Sequence, residues 1–419
     1  MLKLKIYVFI IFFYSIFNLD LLVIIISIFM NYNFKSPDYF DVDKLFTEEQ
    51  ILIRESVRDW VRENVSPIIE DAALEGVFPA HLVKSLGEIG GYGGFLPQKY
   101  GGSEIDFTSY GLMMQELERG DSSIRVLSAV QSLVMHTIYR FGSEEQKLKY
   151  LIPLAKGEFI GSFGLSEPSH GSDPSSMNTT FKEEKNFYVV NGSKMWIGHA
   201  PICDIAVVWA KGDNDEIACF IIDRNTEGFS TAKIDRKWSF RASETGELIF
   251  HNMKVQKENL LHKTKNIKDL LNRLNIGRYA VAWGSLGVAM DCYDVALKYS
   301  NEREQFGKKI SSFQLIQKKL VDMLTEISKS QILTWRLGVL MDEKEATFEQ
   351  ISMAKKTNVD MACVVAKKAR SILGGMGITA EYPIMRHIMN LETLITYQGT
   401  EEIHTLISGR KITGLSAFK

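Results

Sequence analysis

The segment Thr396–His404, with the sequence TYQGTEEIH, has the residue types of a binding or catalytic turn. A glycine at position 399 permits a sharp change of backbone direction, which places Gln398 at the tip between an apolar run and a helix-forming run. The side chain of Gln398 can donate and accept hydrogen bonds, but an amide does not remove protons at neutral pH. The carboxylates and the imidazole that follow lie within one helical turn, a spacing that predicts no metal site. The turn therefore has the position of a catalytic group without its basicity.

Two further segments are rich in glycine and could approach a ligand closely. Gly161–Met177, GSFGLSEPSHGSDPSSM, combines small residues with hydroxyls, so that its main-chain amides, Ser166 and Ser172 could bind a flavin ring or a pyrophosphate. The alternative is a linker between two domains. Gly374–Gly377, GGMG, is either the end of a helix or a close approach of the backbone to a phosphate or a ring. Periodicity alone does not choose between these alternatives.

Composition and motif content exclude several classes of function. The chain has 419 residues, 45% of them hydrophobic, and a net charge of −2, so it lacks the basic excess expected of a nucleic-acid-binding protein. The sequence contains no P-loop, no GxGxxG after a strand and no HExxH. The cysteines are far apart and form no CxxC pair, which favours a reducing, cytoplasmic location over a disulfide framework or a zinc site. They are Cys203, Cys219, Cys292 and Cys363.

Residues 1–29 differ from the rest of the chain. They contain two apolar runs behind a basic start, a pattern typical of a signal anchor. They also contain no alanine and no glycine, as expected if upstream AT-rich DNA were translated. We favour a misplaced start codon, with Met30 opening the protein, and keep a membrane anchor as the alternative. Contact with a membrane is therefore expected only if these residues are translated.

The spacing of apolar residues divides the chain into three zones, whose secondary structure must position the candidate site residues. From Thr47 to Leu154 the apolar residues have helical spacing, with Thr47 as an N-cap and a break between two helices at Gly120. From Gly157 to Leu261 short alternating runs separated by glycine turns predict strands. Long amphipathic helices return from Ile267 onward, the arrangement of a four-helix bundle.

The zones predict an α+β fold with three domains. The predicted units are an N-terminal helical domain over residues 40–156, a middle β-barrel or sandwich over residues 157–264 and a C-terminal helical bundle over residues 265–419.

Several motifs, in this order along the chain, resemble one known family. They are FGLSEPSHGSD, NGSKMWIG, RASETGELIF, EREQFGKKI, ILGGMGIT and TYQGTEEIH. Together they look like the acyl-CoA dehydrogenases, most closely the glutaryl-CoA dehydrogenase branch, and the likeness runs from about Phe40 to Phe418. The resemblance implies oxidation of a Cα–Cβ bond, with glutaryl-CoA as a metabolite of lysine and tryptophan degradation and an electron-transferring flavoprotein as the electron acceptor.

The resemblance implies FAD at the junction of the middle domain and the C-terminal bundle. The positions that match flavin, phosphate or adenine contacts are Phe163, Leu165, Ser166, Ser172, Trp196, Gly198, Arg303, Gln314, Gly374, Gly375, Thr400 and Glu402. The stretch from Arg303 to Gln314 and the two glycines would reach the FAD of a neighbouring subunit, so a homotetramer is expected. For Arg303 the alternative is a surface ion pair with Glu302 or Glu304.

The resemblance also implies an acyl-CoA pocket. Its matching positions are Glu118, Arg125, Ser172, Arg278, Tyr397 and Gly399. Arg125 matches the arginine that holds the distal carboxylate of glutaryl-CoA, a natural partner for a guanidinium in an apolar slot. The alternative is a surface arginine paired with Glu118 or Asp121. Val126 stands where the branch is expected to carry a hydroxyl, which weakens the prediction of dicarboxylate specificity.

The family's base is a glutamate in the motif YEGT, and Gln398 stands at its position here. Some members carry the carboxylate immediately before the family arginine, but that position is Gly277. Glu401 is a weaker substitute, and Gly198 replaces a threonine common near flavin N5. Three interpretations stay open: a dehydrogenase of glutaryl-CoA or another short-chain acyl-CoA with crippled turnover, a non-catalytic FAD and acyl-CoA binding protein, and a helical scaffold.

Overall fold

The computed structural model describes residues 36–214, 216–264 and 266–417. The predicted anchor or untranslated segment, residues 1–29, lies outside these residues. Thr47 caps the first helix as predicted, because its hydroxyl accepts from the Gln50 N–H while the Gln50 side chain accepts from the Thr47 N–H. The N-terminal helices are α1 Glu48–Trp60, α2 Ile69–Glu75, α3 Leu82–Glu88, α4 Phe107–Gly120, α5 Ser122–Phe141 and α6 Glu144–Ala155.

The predicted break between two helices is confirmed at Asp121. Helix α4 ends at Gly120 and helix α5 begins at Ser122. The carboxylate of Asp121, which has extended backbone, accepts from the Ser123 N–H and so caps α5. The same carboxylate accepts hydrogen bonds from Arg386 and Asn390 of the C-terminal region. The break therefore also ties the two helical regions together.

A seven-stranded sheet forms the middle of the molecule. Its strands are β1 Gly161–Gly164, β2 Thr180–Glu183, β3 Phe187–Gly198, β4 Ile205–Lys211, β5 Ile217–Asp223, β6 Phe229–Lys233 and β7 Thr245–Gln256. The order is β1-β4-β2-β3-β7-β6, with β5 paired to β4. β1 runs parallel to β4 with Gly161 opposite Ile205, and the long antiparallel pair β3–β7 carries two register shifts. The shifts increase local twist, which curls the sheet.

Long helices make up the C-terminal region. They are α7 Ile267–Glu302, α8 Gln314–Asp342, α9 Phe348–Leu373, α10 Ile384–Thr396 and α11 Glu401–Thr413, with a small hairpin of β8 Glu304–Gln305 and β9 Lys308–Lys309 after α7. Helix α7 packs closely on α4, since a Cβ on Gly111 would lie 2.3 Å from the ring of Trp283.

This succession of helices, curled sheet and helices confirms the predicted α+β class. The exact domain boundaries stay a prediction, although both fall in connections between elements. Within residues 36–214, 216–264 and 266–417, every helix is too short or too polar to cross a membrane.

Candidate functional site

Gln398 lies in the turn between α10 and α11. Its φ of 55° is in the left-handed region, where residues other than glycine are uncommon and strained. Gly399 follows with a φ of 98°, and the hydroxyl of Thr400 accepts from the Ile403 N–H to begin α11. The predicted turn into a helix is thus present, with Gln398 in a conformation that needs support from its surroundings.

The side chain of Gln398 is placed against helix α7. A Cβ on Gly277 would lie 2.6 Å from Gln398 Oε1, so the glycine leaves the room that this side chain occupies. Within the described part of the chain, the buried Oε1 has no hydrogen-bond donor. An unsatisfied buried carbonyl costs about 1–3 kcal/mol. The amide therefore fills the shape of a carboxylate while one of its polar atoms lacks a partner.

Among the described residues, neither of the two alternative positions for a base, 277 and 401, offers a free carboxylate. Gly277 has no side chain, and Glu401 forms an ion pair with Lys356 at 3.1 Å. The main-chain oxygen of Gln398 instead faces donors, with Arg278 Nε at 3.2 Å and His404 Nε2 at 3.2 Å. Burial lowers the pKa of Arg278 to about 10. The main-chain carbonyl of Gln398 therefore faces the positive charge of Arg278.

Arg125, Glu118 and Tyr397 form a buried cluster next to this turn. The guanidinium of Arg125 donates through Nε and Nη2 to the carboxylate of Glu118 and through Nη2 to the hydroxyl of Tyr397. Arg125 is 1% exposed and Glu118 is fully buried. Burial opposes the charge of Arg125, but Glu118 outweighs it and raises the pKa of the guanidinium. The alternative of a surface arginine is wrong, although its predicted pairing with Glu118 is present.

The glycine- and hydroxyl-rich segment is a structured loop after β1. The side chains of Phe163 and Leu165 are buried, while Ser166 is half-buried and Ser172 is exposed. The carbonyl of Ser166 accepts from the Met195 N–H at 2.8 Å, which joins the loop to β3. Ser166 and Ser172 therefore stand at the accessible side of a loop whose apolar residues face the core.

A buried ion pair that sequence reasoning missed anchors the same loop. Lys194 Nζ lies 2.8 Å from Glu167 Oε1, and the Glu167 carboxylate also accepts from the main-chain N–H groups of Asn178 and Thr179. Burial opposes ionisation of Glu167, but Lys194 keeps the pKa of the carboxyl below its usual value. The alternation of β3 in the sequence placed Lys194 on the inward face but gave no partner for it.

Trp196 and Gly198, at the end of β3, suit a planar ring. Trp196 is 60% exposed with a φ of 64°, an unusual state for tryptophan, which is highly buried on average. A Cβ on Gly198 would lie 3.4 Å from Val130 and 3.8 Å from Val126 of α5, so the strand end faces the helix that carries Arg125. An exposed indole and a position without a side chain fit an isoalloxazine ring at this junction.

The remaining predicted cofactor residues are accessible. The exposed ones are Arg303, Gln314, Gly374, Gly375 and Glu402. A Cβ on Gly374 or Gly375 would meet no atom of the described residues within 4 Å, so both glycines face open space among them. Arg303 forms no ion pair with Glu302 or Glu304, all three being described residues. The contacts of Arg303, Gln314, Gly374 and Gly375 with a neighbouring subunit's FAD stay predictions, as does a place for Glu402 near the adenine.

Lys355 and His404 are the residues nearest Gln398 whose roles the sequence did not show. Both are buried: Lys355 is 1% exposed and His404 is fully buried. Burial, with Lys355 and Arg278 nearby, lowers the pKa of His404 to about 3. Burial, assisted by Arg278, lowers the pKa of Lys355 to about 7. A lysine within a helix and a histidine in the first turns of a helix are common on protein surfaces. The sequence therefore did not predict that Lys355 and His404 are buried beside Gln398.

Metal chemistry has no ligand set among the residues that the structure describes. Within them, no group of three or more His, Cys, Asp and Glu side chains is placed to hold an ion. The described cysteines are free thiols. The site thus combines an exposed indole at the end of β3, an accessible hydroxyl-rich loop and buried cations at the junction of the sheet and the C-terminal helices.

Comparison with known proteins identifies the family. Residues 47–158 match the acyl-CoA dehydrogenase N-terminal domain, residues 162–253 its middle domain and residues 267–413 its C-terminal domain. The chain belongs to the acyl-CoA dehydrogenase family. Members are FAD-dependent oxidoreductases that act on CH–CH groups, which confirms the predicted enzyme class and cofactor.

Relatives cover most of the chain but differ in substrate. The mitochondrial short-chain specific acyl-CoA dehydrogenase of Rattus norvegicus is 34% identical over 86% of this chain and 89% of its own length. A crystal structure of glutaryl-CoA dehydrogenase from Mycobacterium smegmatis has a TM-score of 0.88 and 41% identity, covering 90% of this chain and 97% of its own. A crystal structure of a glutaryl-CoA dehydrogenase from Mycobacterium smegmatis in complex with FADH2 has a TM-score of 0.90 and 39% identity, covering 92% of this chain and 100% of its own.

Proposed function

We propose that this protein binds FAD and a short-chain acyl-CoA, with glutaryl-CoA as the favoured ligand, and that Gln398 limits its dehydrogenation. The observation that carries the choice of glutaryl-CoA is the buried guanidinium of Arg125, adjacent to the turn that bears Gln398. A guanidinium is a natural partner for a ligand carboxylate, which Arg125 would hold in addition to Glu118, with which it already pairs. The glutaryl-CoA dehydrogenases among the relatives support this choice, and the short-chain relative supports butyryl-CoA as the competing ligand.

The site separates binding from proton removal. The main-chain N–H of Gln398 donates to no acceptor within the described part of the chain, which leaves it for the thioester oxygen. Arg278 and His404 hold the carbonyl on the other side of the same residue. Bound FAD would supply the acceptor for the hydride from the β-carbon. The residues present can therefore bind and orient a thioester, but the amide of Gln398 does not take the α-proton.

A non-catalytic binding protein is the second candidate. It is favoured by the fit of Gln398 against Gly277, because an amide keeps the shape that a bound acyl chain needs. Under this alternative the protein retains acyl-CoA without oxidising it. Electron transfer to a flavoprotein partner, oxidative decarboxylation, a homotetramer that shares FAD and a cytoplasmic location belong to the first proposal and stay predictions.

Anaerobic mixing with glutaryl-, butyryl- and isovaleryl-CoA tests the proposal. We expect each bound ligand to shift the flavin absorption band, glutaryl-CoA most strongly, with bleaching slower by about 10²–10⁴ than a glutamate base would give. Rapid bleaching would contradict the role assigned to Gln398. An equal or weaker response to glutaryl-CoA than to butyryl-CoA would contradict the choice of substrate, and a colourless protein would contradict FAD binding.

A further inference from the structure

The turn that carries Gln398 is held by a buried ammonium group. Lys355 Nζ on α9 lies 2.7 Å from the carbonyl oxygen of Leu394, 3.4 Å from that of Ile395 and 2.9 Å from that of Gly399. Leu394 and Ile395 precede Gln398 and Gly399 follows it. One ammonium therefore bridges the chain on both sides of the residue at the catalytic position.

The carbonyls that Lys355 contacts need a donor from outside their own helix. Leu394 and Ile395 lie in the last turn of α10, Ile384–Thr396, where carbonyl groups have no partner within the helix. The negative end of the helix dipole also favours a cation there. An ammonium has three N–H groups, which match the three carbonyl oxygens in number. The contact is thus a cap of α10 made by a side chain from a different helix.

Lys355 has no acidic partner to account for its burial. Among the residues that the structure describes, no carboxylate lies within ion-pair distance of its Nζ. Arg278 and Arg125 oppose its charge, and Asp360 of the same helix supports it only from beyond that distance. Burying a charge is expensive unless it is paired or well hydrogen-bonded. Among the described residues, the only acceptors around the ammonium are main-chain carbonyl groups. The hydrogen bonds that offset the cost of burying Lys355 are therefore those that hold the turn.

The turn itself is strained and therefore depends on such contacts. A non-glycine residue in the left-handed region costs of the order of 1–3 kcal/mol and persists only where its surroundings determine it. The carbonyl of Gln398 is taken by Arg278 and His404, and those of Leu394, Ile395 and Gly399 by Lys355. The N–H of Gln398 is left without an acceptor among the described residues.

We propose that Lys355 is a positioning residue: by fixing the carbonyl groups on either side of Gln398, it directs the Gln398 N–H toward the oxygen of a bound acyl thioester. Lys355 does not touch the ligand in this role. The inference rests on the proposed binding of acyl-CoA. It is separable from that proposal because it concerns the carbonyl oxygen of the ligand and not the CoA or the acyl tail.

Two ligands that differ in this oxygen test the inference. Butyryl-CoA carries the thioester carbonyl, whereas S-butyl-CoA is the thioether of equal chain length without it. Calorimetric titration of the FAD-loaded protein under nitrogen would compare wild type with Lys355→Met. We expect the variant to bind butyryl-CoA about 10- to 100-fold more weakly, as for loss of a charge-assisted hydrogen-bonding group, and S-butyl-CoA with affinity within about twofold.

The matched control is Lys367→Met, an exposed lysine on the same helix. It should leave both affinities unchanged. If Lys355→Met does not fold, Lys355→Gln keeps two N–H donors for the carbonyls and should show a smaller loss confined to the thioester. Equal losses for thioester and thioether, or no loss for either in a folded Lys355 variant, would overturn the inference. Failure of wild type to bind both ligands would instead contradict the proposed function.

Discussion

Two neighbouring regions of the pocket hold buried cations in different ways. In the first, Arg125 is neutralised by the buried carboxylate of Glu118 and also donates to Tyr397. In the second, around the turn, Lys355 and Arg278 donate to main-chain carbonyl groups. The first region is a balanced ion pair. The second has two cations and, at Gln398, an amide at the position where the resemblance to the family implies a glutamate.

The comparison assigns different tasks to the two regions: the Arg125–Glu118 pair would select the ligand, and the turn around Gln398 would hold its reacting carbonyl group. A balanced pair is strongly destabilised by loss of one member but adds little net charge to the pocket. An unbalanced cationic turn favours negative charge on a ligand oxygen. Under the proposed function, this turn would bind a polarised thioester and the amide of Gln398 would not remove its proton.

The largest expected effect is that of restoring the base. Gln398→Glu should raise the rate of flavin bleaching by glutaryl-CoA about 10²–10⁴-fold, because the carboxylate accepts the α-proton and lies beside two cations. Stopped-flow absorbance under nitrogen measures the rate. The double variant Gly277→Glu with Gln398→Gly is the matched test of the alternative position, since Glu at position 277 needs the space of the Gln398 side chain. No gain from either variant would mean that another part of the site is defective.

The next effect concerns the balanced pair. Arg125→Met should lower the free energy of unfolding by about 3–5 kcal/mol, because it leaves Glu118 as an unpaired buried charge. The double variant Glu118→Gln with Arg125→Met should recover much of this loss. Urea unfolding measures both. The exposed pair Lys257–Glu183 supplies the control, as Lys257→Met should change stability by less than about 1 kcal/mol. Equal losses in the single and double variants would contradict the ion-pair interpretation.

A smaller effect is expected from crowding the same pair. Gly284 of α7 faces Glu118, and a Cβ there would lie 1.9 Å from Glu118 Oε2. Gly284→Ala should cost about 1–3 kcal/mol of stability and displace the carboxylate from Arg125. Gly409 lies in helix α11, and a Cβ there would contact no described atom within 4 Å. Gly409→Ala should therefore raise stability slightly, because alanine favours the helix more than glycine does. Thermal unfolding compares them, and an unchanged midpoint for Gly284→Ala would exclude the tight contact.

The last effect is a pH dependence that belongs to the cationic turn; it is absent at neutral pH and appears only in acid. The folded pKa of His404, about 3, lies below the usual value, so the unfolded chain binds more protons in acid. The stability due to neutral His404 is complete above pH 6.5 and falls as the pH drops toward 3, by up to about 1.4 kcal/mol per pH unit. His404→Gln should reduce this slope between pH 6.5 and 4 in urea unfolding. His251→Gln, at an exposed position of β7, should retain it.

Much of the fold was predictable because local signals agreed with it. Thr47 with Gln50 forms the expected cap, and Asp121 ends one helix and begins the next. The alternating runs between residues 157 and 261 became strands, and the glycine after Gln398 adopts a positive φ. These features depend on neighbours within a few residues. The position of Gln398 in a turn could be predicted for the same reason.

The partners across the fold could not be predicted in this way. The amphipathic spacing of α9 does not distinguish Lys355 from a lysine on the protein surface. The carbonyl groups that it contacts lie 39 to 44 residues away, and no neighbouring residue indicates them. Burial of Arg125 was likewise one of two alternatives, because a charged residue after a helix break suits a surface as well as a pocket.

The sequence by itself determined the order of elements, the α+β class and the chemical identity of the residue at the catalytic position. An amide at position 398 is an amide in any fold, and the periodicities act over short distances. Only the tertiary structure decided which charges are balanced and which main-chain groups are held. Burial and hydrogen bonding depend on which helices pack together, and α5, α7 and α9 meet at the turn from distant parts of the chain.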